Sequence, residues 1–235
     1  MSKINLTSPV VMSIGGSLLF DPQGKPNVDF LKKLNSFVRN HVKNGVRFML
    51  VSGGGAICRT YQNAAHEVIK GMSNYDLDWL GVHSTRLNGH LLRAIFVDIA
   101  HPRMIENYDH KLENWVEPLV IGAGWKPGWS TDYCAVTLAH DNGAKLMINL
   151  SNIDYVFDSD PNKNPEAKAL IETNWEYIHS LVGEKWVPGM NTPFDPVATQ
   201  LAKTIELEVV VANGANFENL EKLFAGEEFV GTIIR

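Results

Sequence analysis

The sequence is poor in several features that would assign it to a broad class. Only two of its 235 residues are cysteines, Cys58 and Cys134, and neither lies in a cluster with metal-ligand spacing. We expect free thiols rather than a disulfide, which is typical of a cytoplasmic protein. No apolar run approaches the roughly 20 residues that span a bilayer, and the N-terminus lacks the pattern of a signal peptide. We therefore expect no membrane partner.

Basic runs are also absent from the sequence. Lys and Arg number 21 against 26 Asp and Glu, so the formal net charge is −5. Nucleic acids attract clustered positive charge, so we expect no nucleic-acid partner. The 45% hydrophobic and 20% charged content predicts one compact domain over residues 1–235, large enough for two lobes around a cleft.

Short aliphatic runs alternate along the chain with segments of helical periodicity. Continuous aliphatic strands that alternate with helices predict a buried, largely parallel sheet with helices on both faces. Ligands of such sheets collect at the carboxyl ends of the strands. The predicted strands are 10–14, 47–51, 119–121, 145–150, 208–211 and 231–234. The predicted helices are 30–42, 59–70, 133–140, 196–204 and 217–224, and residues 77–96 form either one longer helix or a pair.

Glycines are concentrated directly after the first two strands, as Gly15-Gly16 and Gly53-Gly54-Gly55. Consecutive glycines are entropically unfavourable, so a chain keeps them where its backbone approaches something closely. At a helix start, free N–H groups and the helix dipole attract anions. Two such turns predict a protein that holds more than one phosphate. The alternative is two tight turns that only join strand to helix.

Neither turn belongs to a common nucleotide-binding signature, because the P-loop pattern and the G-x-G-x-x-G pattern are both missing. Arg59 lies one helical turn beyond Gly55, on the side of the open amides. A guanidinium at this place can bind a phosphate through two hydrogen bonds. The alternative is a solvated helix arginine.

Two further polar stretches are candidates for ligand contacts. Residues 126–132 read Lys-Pro-Gly-Trp-Ser-Thr-Asp and precede a predicted helix. Ser130 or Thr131 can cap that helix, or the hydroxyls can also contact a phosphate while Asp132 orders the site. Residues 152–161 carry three acidic residues around an aromatic pair, which indicates either a place where a base stacks or a surface loop.

In their order along the chain, these pieces resemble the amino acid kinase superfamily, and within it the archaeal-type uridylate kinases. Each motif is weak alone, but together they cover nearly the whole chain in the family's order. The matching stretches are residues 13–19, 51–61, 78–81 with 85–88, 127–132, 152–161 with 167–168, 194–198 and 231–233.

The resemblance implies a three-layer α/β/α sandwich that transfers the γ-phosphoryl group of ATP, with Mg²⁺, to UMP. It implies an acceptor site in the N-terminal part and an ATP site in the C-terminal part, from about residue 145. It also implies a homo-oligomer such as a hexamer, which the apolar helix around residues 87–96 would permit.

The resemblance also assigns residues to the two nucleotides. Gly15, Gly16, Gly55 and Arg59 would hold the ATP phosphates. Ser151, Phe157 and Asp160 would surround the adenosine. Asp78 would accept hydrogen bonds from the ribose of UMP, and the catalytic candidates are Arg59, Lys126 and Asp132. No residue is assigned as a metal ligand. The remaining UMP contacts would come from Gly54, Trp125, Lys126, Pro127, Gly128, Trp129, Ser130 and Thr131.

Several departures from the family pattern leave other functions open. The first strand has Ser13 where many members have a lysine, and Ala56 follows the triple glycine where lysine is frequent. Trp125 and Tyr155 occupy places of smaller residues. The alternatives are a protein that binds or stores ATP and oxyanions on the same scaffold, as the molybdenum storage proteins do, or a kinase for another small anionic acceptor.

Overall fold

The computed structural model describes residues 6–184 and 192–235, so residues 1–5 and 185–191 of the predicted domain lie outside the described part. The longer strands are aliphatic runs that are almost fully buried, as expected of a sheet covered on both faces. The strands are β1 (Val10–Ile14), β2 (Phe48–Ser52), β3 (Leu119–Gly122), β4 (Leu146–Ser151), β5 (Val156–Phe157), β6 (Ala169–Leu170), β7 (Glu172–Thr173), β8 (Glu208–Asn213) and β9 (Thr232–Ile234).

Seven of these strands form one sheet in the order β3-β2-β1-β4-β8-β9-β7, and β5 pairs with β6 separately. The first five are mutually parallel, β9 is antiparallel to β8, and β7 is parallel to β9. The largely parallel sheet is therefore confirmed. The register sets Ile14 beside Ser52 and Val51 beside Gly122, so β1, β2 and β3 end at the same edge.

The helices agree with the periodicity of the sequence except at two places. The sequence did not predict the one-turn helix α1 or the eight-residue helix α6. The single helix α4 replaces the predicted helix or helix pair at 77–96. The helices are α1 (Gly16–Leu19), α2 (Val28–Lys43), α3 (Gly55–Val68), α4 (Asn74–Ile95), α5 (Thr131–Asn142), α6 (Trp175–Val182), α7 (Pro196–Thr204) and α8 (Phe217–Ala225).

Helices cover both faces of the sheet, which confirms the three-layer α/β/α architecture. Alternate side chains of β1 enter opposite cores, with Val10, Met12 and Ile14 on one side and Val11 on the other. The first core includes side chains of α1, α2, α8 and the end of α4, and the second includes those of α5, α6 and α7. Within 6–184 and 192–235, no helix combines the length and apolar character needed to cross a membrane.

Candidate active site

A cleft of about 430 Å³ lies at the edge where β1, β2 and β3 end. Its walls come from the loops after β2 and β3, from the starts of α3 and α5, from α4, and from the segment that precedes α7. Cleft-lining residues in the described part are Gly54, Gly55, Cys58, Arg59, Gln62, Asp78, Gly81, Val82, Thr85, Gly124, Trp129, Ser130, Thr131, Asp132, Thr192 and Asp195.

The two glycine turns touch each other, and the second turn contributes Gly54 and Gly55 to the cleft lining. A Cβ atom on Gly16 would overlap with the backbone nitrogen of Gly55, and one on Gly53 would lie 2.7 Å from the nitrogen of Gly16. A Cβ on Gly55 would lie 2.5 Å from the carbonyl oxygen of Gly16. The backbones are therefore close enough that only glycine fits at these positions.

Helices α1 and α3 begin at this contact, at Gly16 and Gly55. The first amides of a helix have no acceptor within that helix, so both turns provide N–H groups at the same place. Gly55 has φ = +67°, a conformation that side-chain-bearing residues rarely adopt. The geometry can therefore bind anionic oxygens, as the sequence indicated.

Arg59 carries the one basic side chain that lines the cleft in the described part of the chain. It is exposed, and none of the residues that the structure describes forms an ion pair with it. Two other basic residues near the matching stretches, Arg86 and Lys163, have partners elsewhere. Arg86 donates to the carbonyl oxygens of Gly124 and Trp125, at 3.1 and 2.8 Å. The Lys163 ammonium lies 3.7 Å from Asp160.

Lys126 is placed outside the cleft lining. Its ammonium lies 3.6 Å from the centre of the Trp125 ring and 5.4 Å from that of Trp129, so it is held by cation–π contacts. Among described residues, the cleft lining also excludes Trp125, Pro127 and Gly128. Of the segment assigned to UMP, the parts that reach the cleft are Trp129, Ser130 and Thr131.

Trp129 is the aromatic side chain of the cleft wall. Its ring lies 4.6 Å from that of Trp125 and 4.4 Å from that of Tyr133, measured between centroids. Ser130 caps α5, because its hydroxyl oxygen accepts a hydrogen bond of 3.0 Å from the amide of Tyr133. Helix capping therefore explains Ser130 structurally, whether or not it also contacts a ligand.

Asp78 faces the cleft from α4 and contacts the loop that follows β3. Its carboxylate accepts a hydrogen bond of 2.8 Å from the amide of Gly128. Partial burial raises the pKa of this carboxyl group, and the Gly128 amide opposes that shift. The residue therefore presents a hydrogen-bond acceptor to the cleft while joining α4 to the loop.

Two carboxyl groups meet where α5 and α7 begin. Asp132 accepts hydrogen bonds from the Ser13 hydroxyl at 3.2 Å and the Asn149 amide at 3.4 Å. Burial and then the charge of Asp195 raise the pKa of Asp132 to about 7. Asp195 caps α7 by accepting from the amide of Ala198 at 2.6 Å, and burial also raises its pKa.

Of the residues assigned to ATP, Gly55 and Arg59 line the cleft, and the others lie outside its lining. The amide of Gly15 donates to the Leu150 carbonyl at 2.8 Å, which places the first glycine turn beside Ser151 at the end of β4. Phe157 lies in β5, opposite Ala169 of β6. Asp160 is exposed and accepts hydrogen bonds from Asn162. The first glycine turn thus contacts both the second glycine turn and the end of β4.

Several cleft residues were not assigned a role from the sequence. Asp195 and Thr85 belong to stretches 194–198 and 85–88, which match the family pattern, so a signal for them was present. Cys58 belongs to the matching stretch 51–61, and Gln62 lies outside every matching stretch. They line the cleft because they follow Gly55 on α3, where Gln62 donates a hydrogen bond of 2.9 Å to the Leu77 carbonyl.

Comparison with known proteins identifies this arrangement. The sequence profile of the amino acid kinase family matches residues 8–213. A uridylate kinase of Methanobrevibacter smithii is 34% identical over 226 residues, covering 95% of this chain and 97% of the relative. One of Sulfurisphaera tokodaii is 30% identical over 228 residues, covering 96% and 98%. The crystal structure of uridylate kinase from Archaeoglobus fulgidus superimposes with a TM-score of 0.78 at 28% identity, covering 97% and 100%. The chain belongs to the amino acid kinase family.

Proposed function

We propose that this protein is a uridylate kinase that transfers the γ-phosphoryl group of ATP to UMP and forms UDP. The observation that carries the proposal is the contact between Gly16 and Gly55, which brings the amides of two helix starts to one cleft. The uridylate kinases to which the chain is similar align with nearly its whole length, including both glycine turns and α4.

The proposed mechanism relies on position and charge. Phosphoryl transfer needs the attacking and leaving oxygens in line and the negative charge of the transferred group neutralised. We assign the ATP phosphates to the turn Gly15-Gly16, in which the Gly15 amide itself already donates to Leu150, and to the amide of Gly55. We place the transferred phosphoryl group within reach of Arg59. Fixed donors in a confined cleft stabilise charge without reorganising during the reaction.

The acceptor is proposed to lie between α4 and the start of α5. Asp78 would accept hydrogen bonds from the ribose hydroxyls, and the amide of Gly54 with the hydroxyl of Thr131 would contact the UMP phosphate. Trp129 is an aromatic surface of the same wall. Aromatic rings stack readily on nucleobases, so we assign the uracil to its neighbourhood.

Mg²⁺ fits the donor set of the cleft. Three carboxylates, Asp78, Asp132 and Asp195, line it together with one guanidinium, so a bound triphosphate requires additional positive charge. In the described residues, no three potential metal ligands come together. Mg²⁺ is usually held by one or two carboxylates with substrate phosphates, and Asp132 and Asp195 fit that role. The ion would neutralise charge on the phosphates.

We also propose that the protein is cytoplasmic and self-associates through α3 and the adjoining part of α4. Tyr61 and Val68, seven residues apart on one face of α3, are 60% and 82% exposed, and Leu87 is 61% exposed. Leu92 and Phe96, which the sequence placed on an interface helix, are instead buried in the core. A hexamer would have six times the 26.2 kDa chain mass in light scattering.

The test is transfer of phosphate from ATP to a panel of nucleoside monophosphates over a range of Mg²⁺ concentrations. We expect UMP to have the highest kcat/KM and the activity to require Mg²⁺. If no acceptor is phosphorylated at any Mg²⁺ concentration, the proposed catalytic function is wrong. Tight ATP binding without UMP binding in calorimetry would then favour a storage protein, and a preferred acceptor other than UMP would favour a different kinase.

A further inference from the structure

Asn88 contacts the triple glycine and does not belong to the cleft lining. It lies in α4, is 1% exposed, and its side-chain amide nitrogen donates to two consecutive carbonyl oxygens, those of Gly53 at 2.8 Å and Gly54 at 3.1 Å. One side chain therefore fixes two successive peptide groups of the loop that leads into α3.

Because the peptide bond is planar, the contact that fixes these two carbonyl groups also fixes the direction of the N–H groups that follow them. In a trans peptide, the N–H group points away from the carbonyl oxygen of the preceding residue, and the described chain has no cis peptide bonds. Holding the carbonyls of Gly53 and Gly54 towards Asn88 therefore directs the amides of Gly54 and Gly55 away from it. Both of these residues line the cleft.

The carbonyl oxygen of the Asn88 side chain indicates that the amide donor is the part of this residue that matters for the loop. Its Oδ1 atom is buried and has no hydrogen-bond partner within 6–184 and 192–235. A buried acceptor without a partner destabilises a fold, and an apolar side chain of equal size would avoid it. Such a local conflict is characteristic of a position retained for function.

The same helix also holds the loop across the cleft. The hydroxyl of Thr85, one turn before Asn88, accepts a hydrogen bond of 2.8 Å from the amide of Gly124. Thr85 is itself fixed, because its carbonyl accepts from Ser52 at 2.8 Å. Helix α4 thus fixes both loops that border the cleft, with Asn88 acting on the glycine loop.

We propose that Asn88 is a positioning residue, which turns the amides of Gly54 and Gly55 into the cleft so that they donate to phosphoryl oxygens. The inference rests on the proposed function only in that the cleft holds phosphates. It does not depend on which nucleoside the acceptor carries. Asn88 itself is buried, lies outside the cleft lining and is not proposed to touch substrate.

The test compares Asn88→Leu, which keeps the size and removes the donor, with the unchanged protein. Calorimetry gives the Kd values of tripolyphosphate, ATP and UMP, and NMR titration gives those of uridine and adenosine. We expect Kd for the three phosphate ligands to rise about tenfold or more, since hydrogen bonds to charged groups are strong. The Kd values of both nucleosides should stay unchanged. A residue that only supports the fold would weaken both classes alike.

Asn219→Leu is the matched control. Asn219 is 5% exposed in α8, and its amide nitrogen donates to the Val230 carbonyl at 2.7 Å, away from the cleft. We expect its loss to lower Tm and leave the phosphate Kd values unchanged. Asn88→Ala, which adds no apolar bulk, replaces Asn88→Leu if that variant does not fold.

The outcomes separate this inference from the proposed function. Unchanged phosphate Kd values in a folded Asn88 variant overturn the inference, whatever the acceptor. If the unchanged protein binds tripolyphosphate but does not phosphorylate UMP, the proposed function fails while a selective loss in Asn88→Leu still supports the positioning role. An unchanged protein that binds none of the phosphate ligands overturns both.

Discussion

The hydroxyl group of Ser13, in β1, donates a hydrogen bond of 3.2 Å to the carboxylate of Asp132, in α5. Many members of the superfamily have a lysine in this part of the first strand, and a lysine would supply a positive charge. A neutral hydroxyl cannot, and in the described part of the chain no ion pair reaches Asp132. Burial and then the charge of Asp195 therefore raise the pKa of Asp132, and the hydrogen bond from Ser13 offsets that rise only in part.

The raised pKa of Asp132 predicts how the contribution of this residue to stability depends on pH. The pKa of Asp132 is about 7 in the folded protein and about 3.9 in an unfolded chain, so the folded state binds more protons between these values. The contribution of Asp132 to stability should therefore fall as pH rises from about 4 to about 7. Asp132→Asn removes this titration, so we expect a higher Tm than that of the unchanged protein at pH 8 and nearly equal Tm values at pH 4.5.

Thermal unfolding without Mg²⁺ or nucleotide at pH 4.5, 6 and 8 checks this expectation. Asp29→Asn, which changes an exposed carboxylate in α2, is the control and should show the same small difference at each pH. If the difference in Tm between Asp132→Asn and the unchanged protein is equal at all three pH values, the assigned titration is wrong.

Gly16→Ala should separate the two glycine turns. The new Cβ would overlap with the backbone nitrogen of Gly55, and neither backbone can move without displacing a helix start. We expect ATP affinity to fall at least about tenfold, since hydrogen bonds to charged phosphate are each worth roughly 1.5–3 kcal/mol. Gly71→Ala is the control, because Gly71 lies in an exposed turn outside the cleft lining and a Cβ there would meet no atom within 4 Å. Equal ATP affinities of the two variants would argue against the glycine contact as a phosphate site.

Arg59→Ala should weaken ATP binding or turnover by about tenfold or more, because a charge-assisted hydrogen bond is worth roughly 1.5–3 kcal/mol. The ATP binding or turnover of Arg59→Lys should lie between that of Arg59→Ala and that of the unchanged protein, since lysine keeps the charge and loses the bidentate geometry. Steady-state kinetics with varied ATP measures both variants. Arg103→Ala, an exposed arginine outside the cleft lining, should behave like the unchanged protein. Unchanged kinetics of Arg59→Ala would remove Arg59 from the site.

The sequence carried enough information for the sheet and most helices because their patterns are long. Five parallel strands are continuous aliphatic runs, and α7 has the predicted bounds of residues 196–204. Helix α6 was missed although Asn174 caps it and Trp175, Ile178 and Val182 follow one face. Strands β6 and β7 have two residues each, which is too short for a period of two to be visible.

The candidate site likewise contains some residues that could be placed from the sequence and others that could not. Gly55 and Arg59 could be placed from the sequence because they are near neighbours on one loop and helix. The direction of Lys126 could not, since it depends on where the ring of Trp125 lies in the folded chain. The approach of Asp195 to Asp132 also could not, because the two residues are distant in the chain and meet through the packing of α5 against α7.

Asp78→Ala should raise the KM for the acceptor far more than the KM for ATP. The carboxylate lines the cleft from α4 and accepts from Gly128, so its loss removes an acceptor for ribose hydroxyls and frees the loop after β3. We expect Asp78→Asn, which keeps one acceptor oxygen, to show a smaller rise. Kinetics with each substrate varied in turn measures both, and a deoxyribose acceptor serves as the control. Its KM should be less sensitive to Asp78→Ala because it lacks the 2′-hydroxyl. Equal changes in the KM of ATP and of the acceptor would contradict the placement of UMP beside Asp78.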